Sequence, residues 1–95
     1  MEEGVTRVRL PKGNEMFGKV TVLLGANRLR IDCEDGKERL CRIPGKLKKR
    51  VWTRVDDTVI IKPWDAQSES RADLVWRYRR TEVDFLKRKG YLKNL

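Results

Sequence analysis

The chain has 95 residues, enough for one small domain with a modest core. Charged and apolar residues each make up 39% of it, and the net charge at pH 7 is +9. Such a charge points to an anionic partner, while no run approaches the ~20 apolar residues of a membrane span.

Residues 1–15 are polar and contain Gly4, Pro11 and Gly13, which reads as a flexible N-terminal arm. No secretory leader is expected there, so the chain is expected in the cytoplasm, without membrane contact. Residues 16–24 read as a first strand, with Val20, Val22 and Leu24 on one face. Gly25-Ala26-Asn27 is a turn signal. Residues 28–33 form a cleaner strand, where Leu29, Ile31 and Cys33 alternate with Arg28, Arg30 and Asp32. Glu34-Asp35-Gly36 reads as a three-residue hairpin loop with glycine in the left-handed position.

Residues 37–43 make the third strand. A three-residue loop pairs Cys33 with Lys37, Ile31 with Arg39, Leu29 with Cys41 and Arg28 with Arg42. A two-residue loop would set Arg42 beside Leu29, which is worse for burial. Pro44-Gly45 ends the strand, residues 46–51 read as a short helical turn, and Val55-Asp56-Asp57 reads as another turn. Residues 58–64 form a fourth strand around the apolar run Val59-Ile60-Ile61. After a polar loop at 65–70, residues 72–79 form a fifth, with Leu74, Trp76 and Tyr78 on one face. The period then changes: Thr81 to Asp84 reads as a helix start, Lys87, Arg88 and Lys89 suit its last turn, and Gly90 suits its cap. With only about two turns, that helix needs to dock to be stable.

The fold expected is mainly β: a five-stranded OB-fold barrel over 16–79, with a C-terminal helix and tail over 80–95. An SH3-like barrel has similar strand statistics, and the strand pattern alone does not separate the two. A monomer is expected.

The charge is concentrated. Between residues 37 and 54 stand Lys37, Arg39, Arg42, Lys46, Lys48, Lys49, Arg50 and Arg54, opposed only by Glu38; this net +7 leaves +2 for the rest of the chain. Such a run is often no more than a solvated face. Three features favour nucleic acid instead. Arginine is mixed with lysine, and its planar fork suits phosphate. Trp52 interrupts the run and could stack on a base or close the barrel end; both readings stand. Arg28 and Arg42 face each other across strands, a repulsion that a bound anion would relieve. Trp64 and Trp76, by contrast, are expected in the core. The candidate RNA-binding set is Arg28, Arg30, Arg39, Arg42, Lys46, Lys48, Lys49, Arg50, Trp52 and Arg54.

Catalysis finds little support. There is no histidine, and no glycine-rich phosphate loop precedes a lysine. Asp56 and Asp57 read as turn formers. Two cysteines, Cys33 and Cys41, fall short of the four ligands of a zinc site, so no catalytic residue, metal or other cofactor is expected. In a cytosolic protein a disulfide is not expected either, and both thiols read as buried, apolar-like groups.

The stretches GNEMFGKV, LGANRLRIDCEDGKERLCRIPGKLKKRVW, IIKPWDAQ and ADLVWRYR resemble the translation initiation factor 1A family of archaea and eukaryotes. The likeness runs in order from Gly13 to Gly90 and is most specific in RLCRIPGKLKKRVW. It implies an OB-fold barrel that binds RNA of the small ribosomal subunit at the aminoacyl-tRNA site. There it would support initiator methionyl-tRNA binding and start-site selection, meeting that tRNA and other initiation factors indirectly. Carried over, the RNA-binding positions are Arg28, Arg39 or Arg42, Lys46, Lys48, Lys49, Arg50 and Trp52. Eukaryotic members carry a long acidic C-terminal tail that engages a partner GTPase; here the last residues, KRKGYLKNL, are basic, and the archaeal form is the better likeness. A general single-stranded RNA binder of cold-shock type and a permanent ribosomal protein are the competing readings.

Overall fold

Alternation decides the first hairpin. The computed structural model describes residues 8–45, 53–92 and 95. Strand β1 (Met16–Gly25) runs antiparallel to β2 (Arg28–Cys33), which runs antiparallel to β3 (Glu38–Arg42). The β2–β3 register is the three-residue-loop one: Arg28 opposes Arg42, Leu29 opposes Cys41, and Ile31 opposes Arg39. Gly36 takes φ 87°, a left-handed conformation that suits glycine. The Cys33 N–H donates to the Lys37 carbonyl at 2.9 Å, closing the loop.

Strands β4 (Thr58–Pro63) and β5 (Arg71–Arg77) complete a closed barrel in the order β1-β2-β3-β5-β4. Closure needs β4 to pair with β1, and β3 to run parallel to β5. This order, with a single parallel contact, is the OB arrangement and settles the barrel type that strand statistics left open.

The continuous apolar run of β4 is buried on both faces. Val59 and Ile61 point into the barrel with Val20, Leu29, Ile31, Cys33, Cys41, Ala72 and Leu74. Ile60 points outward into a second cluster with Phe17, Tyr78 and Leu86. Leu86 comes from α1 (Arg80–Arg88), which therefore docks on the outside of the barrel through a narrow apolar face. Its ends are capped as expected. The Glu82 carboxylate accepts the Arg79 N–H at 2.7 Å, and Gly90 turns at φ 80° while the Tyr91 N–H donates to the Leu86 carbonyl. Of the N-terminal residues, Val8 packs on the second cluster and the Tyr78 hydroxyl donates to the Arg9 carbonyl. Residues 8–15 thus lie against the barrel.

Two bulges correct the expected strand faces. In β1 the pairing with β2 slips between Val20 and Val22, and Thr21 is the extra residue. Val20 is buried, but Val22, Leu23 and Leu24 are exposed rather than sharing its face. In β5 the pairing with β4 slips at Val75, so Leu74 points inward and Trp76 outward, 38% exposed with Arg9 over its ring at 5.3 Å. Trp76 is therefore not a core residue.

Cys33 and Cys41 are buried free thiols in the barrel core. Burial holds the Cys33 thiol above its ordinary range and pushes Cys41 up to about 12, so both stay neutral and packed. Tight packing also fixes one glycine. A Cβ at Gly18 would lie 2.4 Å from Ile31 Cγ2. Gly18→Ala is expected to destabilise the protein by about 1–3 kcal/mol through overpacking. Ile31→Ala alone should cost about 2–5 kcal/mol. In the double variant each change fills or empties the same space, so urea denaturation should give a combined cost well below the sum. Additive costs would show that the two positions do not compete for space.

Candidate nucleic-acid interface

The barrel's closure assembles a row of charges on the outer face that neighbours in sequence do not suggest. Arg28 on β2 opposes Arg42 on β3; Arg42 neighbours Asp73 on β5; Asp73 opposes Lys62 on β4. Three cations therefore stand in one cross-strand row with one carboxylate among them. Asp73 accepts from Arg42 Nη2 at 3.3 Å and lies 3.3 Å from its Nε. The carboxylate partly relieves the Arg28–Arg42 repulsion, so a bound anion is not the only counterion available to that pair. Among the described residues, neither Arg28 nor Lys62 makes an ion pair.

A second row lies beside the first. Arg30 opposes Leu40, and Leu40 neighbours Arg71, whose carbonyl accepts from the Trp64 backbone N–H at 3.1 Å. Arg30 is exposed and 3.9 Å from Glu38, a separation at which a solvated pair contributes little. Trp64 is half-buried rather than a core residue. Its indole N–H donates to Asp73 Oδ1 at 2.9 Å, which fixes the ring plane. The Arg42 and Arg71 guanidinium carbons lie 5.5 and 5.9 Å from the ring centroid, within cation–π range.

Arg39, a candidate by charge, is placed elsewhere. It shares the inward register of Ile31 and is only 4% exposed. Its Nη1 and Nη2 donate to the two Asp35 carboxylate oxygens at 3.0 and 2.8 Å, and its Nε donates to the Ser68 carbonyl at 2.7 Å. With those donors engaged beneath the surface, it ties the β2–β3 loop to the β4–β5 loop and presents no fork to a phosphate. The hydrogen bonds from Arg39 hold the Asp35 carboxyl below its ordinary range, and the same pairing raises Arg39.

Arg54 is exposed, but on different ground. Its backbone N–H donates to Asp57 Oδ2 at 2.7 Å, and that oxygen also accepts from Arg77 Nε at 2.8 Å. With Lys19, Arg77, Arg80 and Lys87 it lines a hollow between the barrel and α1 that shares no residue with the Arg42–Lys62 ground. Lys46, Lys48, Lys49, Arg50 and Trp52, with the expected helical turn at 46–51, lie outside the described residues. They follow β3 in the chain, directly after the end of the strand that carries Arg42. Among the described residues, no group of three or more acidic, cysteine or histidine side chains could hold a metal, and no helix is long and apolar enough to cross a membrane.

Reading the run between residues 37 and 54 missed Lys62, Trp64 and Arg71. Lys62 was open to view as the polar break in an apolar strand. Arg71 and Trp64 depend on the parallel β3–β5 contact, which no local pattern announces.

A closed OB barrel with a cationic outer face and a docked C-terminal helix defines the class. The family profile of translation initiation factor 1A / IF-1 matches residues 5–95. The chain is 55% identical to translation initiation factor 1A of Archaeoglobus fulgidus over 94 residues, covering 97% of this chain and 96% of that one. It is 58% identical to translation initiation factor 1A of Pyrococcus abyssi over 86 residues, covering 90% and 76%. Among solved structures, the translation initiation factor IF-1 from the Wolbachia endosymbiont of Brugia malayi superposes with a TM-score of 0.53 at 21% identity, covering 86% and 91%. YjeQ from Thermotoga maritima does so with a TM-score of 0.56 at 20% identity, covering 70% of this chain and 23% of that one. At those identities the two structures speak to the fold. The chain belongs to the translation initiation factor 1A / IF-1 family.

Proposed function

We propose that this chain binds RNA of the small ribosomal subunit at the aminoacyl-tRNA site, and there promotes initiator methionyl-tRNA binding and start-site selection. The observation that carries the reading is the cationic outer face of β2–β3–β5–β4, with Arg28, Arg42 and Lys62 in one row, in a chain of this family. The basic segment Lys46, Lys48, Lys49, Arg50, Trp52 extends directly from the strand holding Arg42 and supplies further phosphate and stacking contacts. The protein acts by occupying a site rather than by bond chemistry, as a monomer in the cytoplasm, and meets initiator tRNA and other factors through the shared subunit.

Cosedimentation with purified small subunits, followed by protection footprinting of their RNA, tests this. The expected result is saturable binding that washes off as salt rises, with protection confined to the aminoacyl-tRNA site. Equal affinity for unstructured oligonucleotides and for small subunits would favour a general single-strand binder. Retention through a high-salt wash would favour a permanent ribosomal component.

A further inference from the structure

Trp64 is held as a binding group would be held. Its side chain leaves the end of β4 half-buried, its indole N–H is spent on Asp73, and its plane is thereby fixed. It borders two recesses. One, of about 490 Å³, is lined by Arg42, Lys62, Pro63, Trp64, Asp65 and Asp73. The other, of about 510 Å³, lies on the side of Gly13, Met16 and Arg39. The first opens onto the row of Arg28, Arg42 and Lys62. Arg42, whose guanidinium lies over the ring, has a side chain 59% exposed and is free to swing aside.

Resting on the RNA-binding reading above, we propose that the Trp64–Arg42 recess is a stacking site for one unpaired base of the bound RNA. The phosphates flanking that base lie against Arg28, Arg42 and Lys62. The charge around the recess selects an anionic strand, and the fixed ring supplies a flat apolar surface that every nucleobase can use. The indole has no free donor, because Asp73 takes its N–H, so stacking here is indifferent to base identity. A guanidinium opposite the indole can cover the second face of the base, as arginine commonly does in single-stranded RNA sites. An acidic protein segment would satisfy the cations equally, but it would leave the oriented ring without a planar partner.

The test uses the full chain with Trp52→Phe and Trp76→Phe, so that Trp64 is the only indole. Its fluorescence is followed on titration with single-stranded oligo(A), with purified small subunits, and with polyglutamate as a ringless polyanion. Affinities are measured in parallel for Trp64→Leu and Trp64→Phe in the otherwise native chain, after thermal melts show both folded. Stacking predicts that both RNAs quench Trp64 and polyglutamate does not. It predicts that Trp64→Leu weakens RNA binding about ten-fold with an unchanged salt slope, and that Trp64→Phe restores most of the loss. Equal quenching by polyglutamate, native affinity in Trp64→Leu, or equal losses in the leucine and phenylalanine variants would each overturn it. A native chain that binds neither RNA would overturn the RNA-binding reading itself, a result distinct from the loss of Trp64 effects in a chain that still binds.

Discussion

Replacing Arg28, Arg42 and Lys62 together by alanine is expected to weaken binding to small subunits by roughly 100-fold near physiological salt. It should also flatten the dependence of log affinity on log salt by about 2 to 3. Each phosphate neutralised by a cation releases condensed counterions, and three cations in one cross-strand row are placed to neutralise up to three phosphates. The fold should survive. All three side chains are exposed, and the substitution removes a like-charge pair as well as the Arg42–Asp73 contact. Arg54→Ala is the internal control: Arg54 lines the hollow beside α1 and should change the slope by less than one. A triple variant with an unaltered slope would remove this face from the interface.

Asp35→Asn is expected to destabilise the barrel by about 2–3 kcal/mol, although no RNA contact is involved. The pair it breaks is asymmetric. Arg39 is 4% exposed, whereas the Asp35 side chain is 33% exposed, so the cost falls short of the ~3–5 kcal/mol of a fully buried pair. What remains is a buried guanidinium facing a neutral amide. For a domain this size the loss should lower the melting temperature by about 10–20 °C. Asp35→Asn with Arg39→Met removes the stranded charge and should recover much of it. The pH dependence follows from the direction of the Asp35 shift. Its folded pKa is depressed by Arg39, so the stabilisation is fully present above the unfolded value near ~3.9. It is lost as pH falls through the lower folded value. Denaturant midpoints against pH should therefore show a shallower acid limb in Asp35→Asn than in the native chain. Identical limbs would mean that Asp35 is not the linked group.

Legibility followed locality. The β2–β3 hairpin could be read to the residue, because clean alternation and one turn leave a single register that buries Leu29, Ile31 and Cys33 together. The same register already placed Arg39 opposite Ile31 and hence inside. Grouping Arg39 by its place in a charge run concealed what its strand position disclosed. The faces of Val22, Leu24 and Trp76 were misjudged because a bulge inserts one residue and inverts every side chain beyond it, and nothing in composition marks Thr21 or Val75 as that residue. Trp64 was assigned to the core because indole is large and apolar. Its half-exposed position depends on Asp73, nine residues away, reaching its N–H. The basic character of the interface was visible from the start, but its centre was not, since Lys62 and Arg71 join it only through long-range pairing.

That pairing also governs how the chain reaches its native state. β1, β2 and β3 form a meander that can assemble from neighbouring residues, yet the free edge of β3 finds its partner only at Arg71–Arg77. β1 likewise waits for β4. Until the later strands exist, the meander is a half-closed cradle with apolar lining and two open edges, able to recruit strands from other chains. During synthesis, at ~5–20 residues per second, that interval lasts a few seconds. Closure by distant segments also predicts folding on the millisecond-to-second scale rather than in microseconds. The charges that line the finished face are present throughout this interval, with Arg28, Arg30 and Arg42 on the strands of the unfinished sheet. Their mutual repulsion between chains guards the open edges before it serves any ligand.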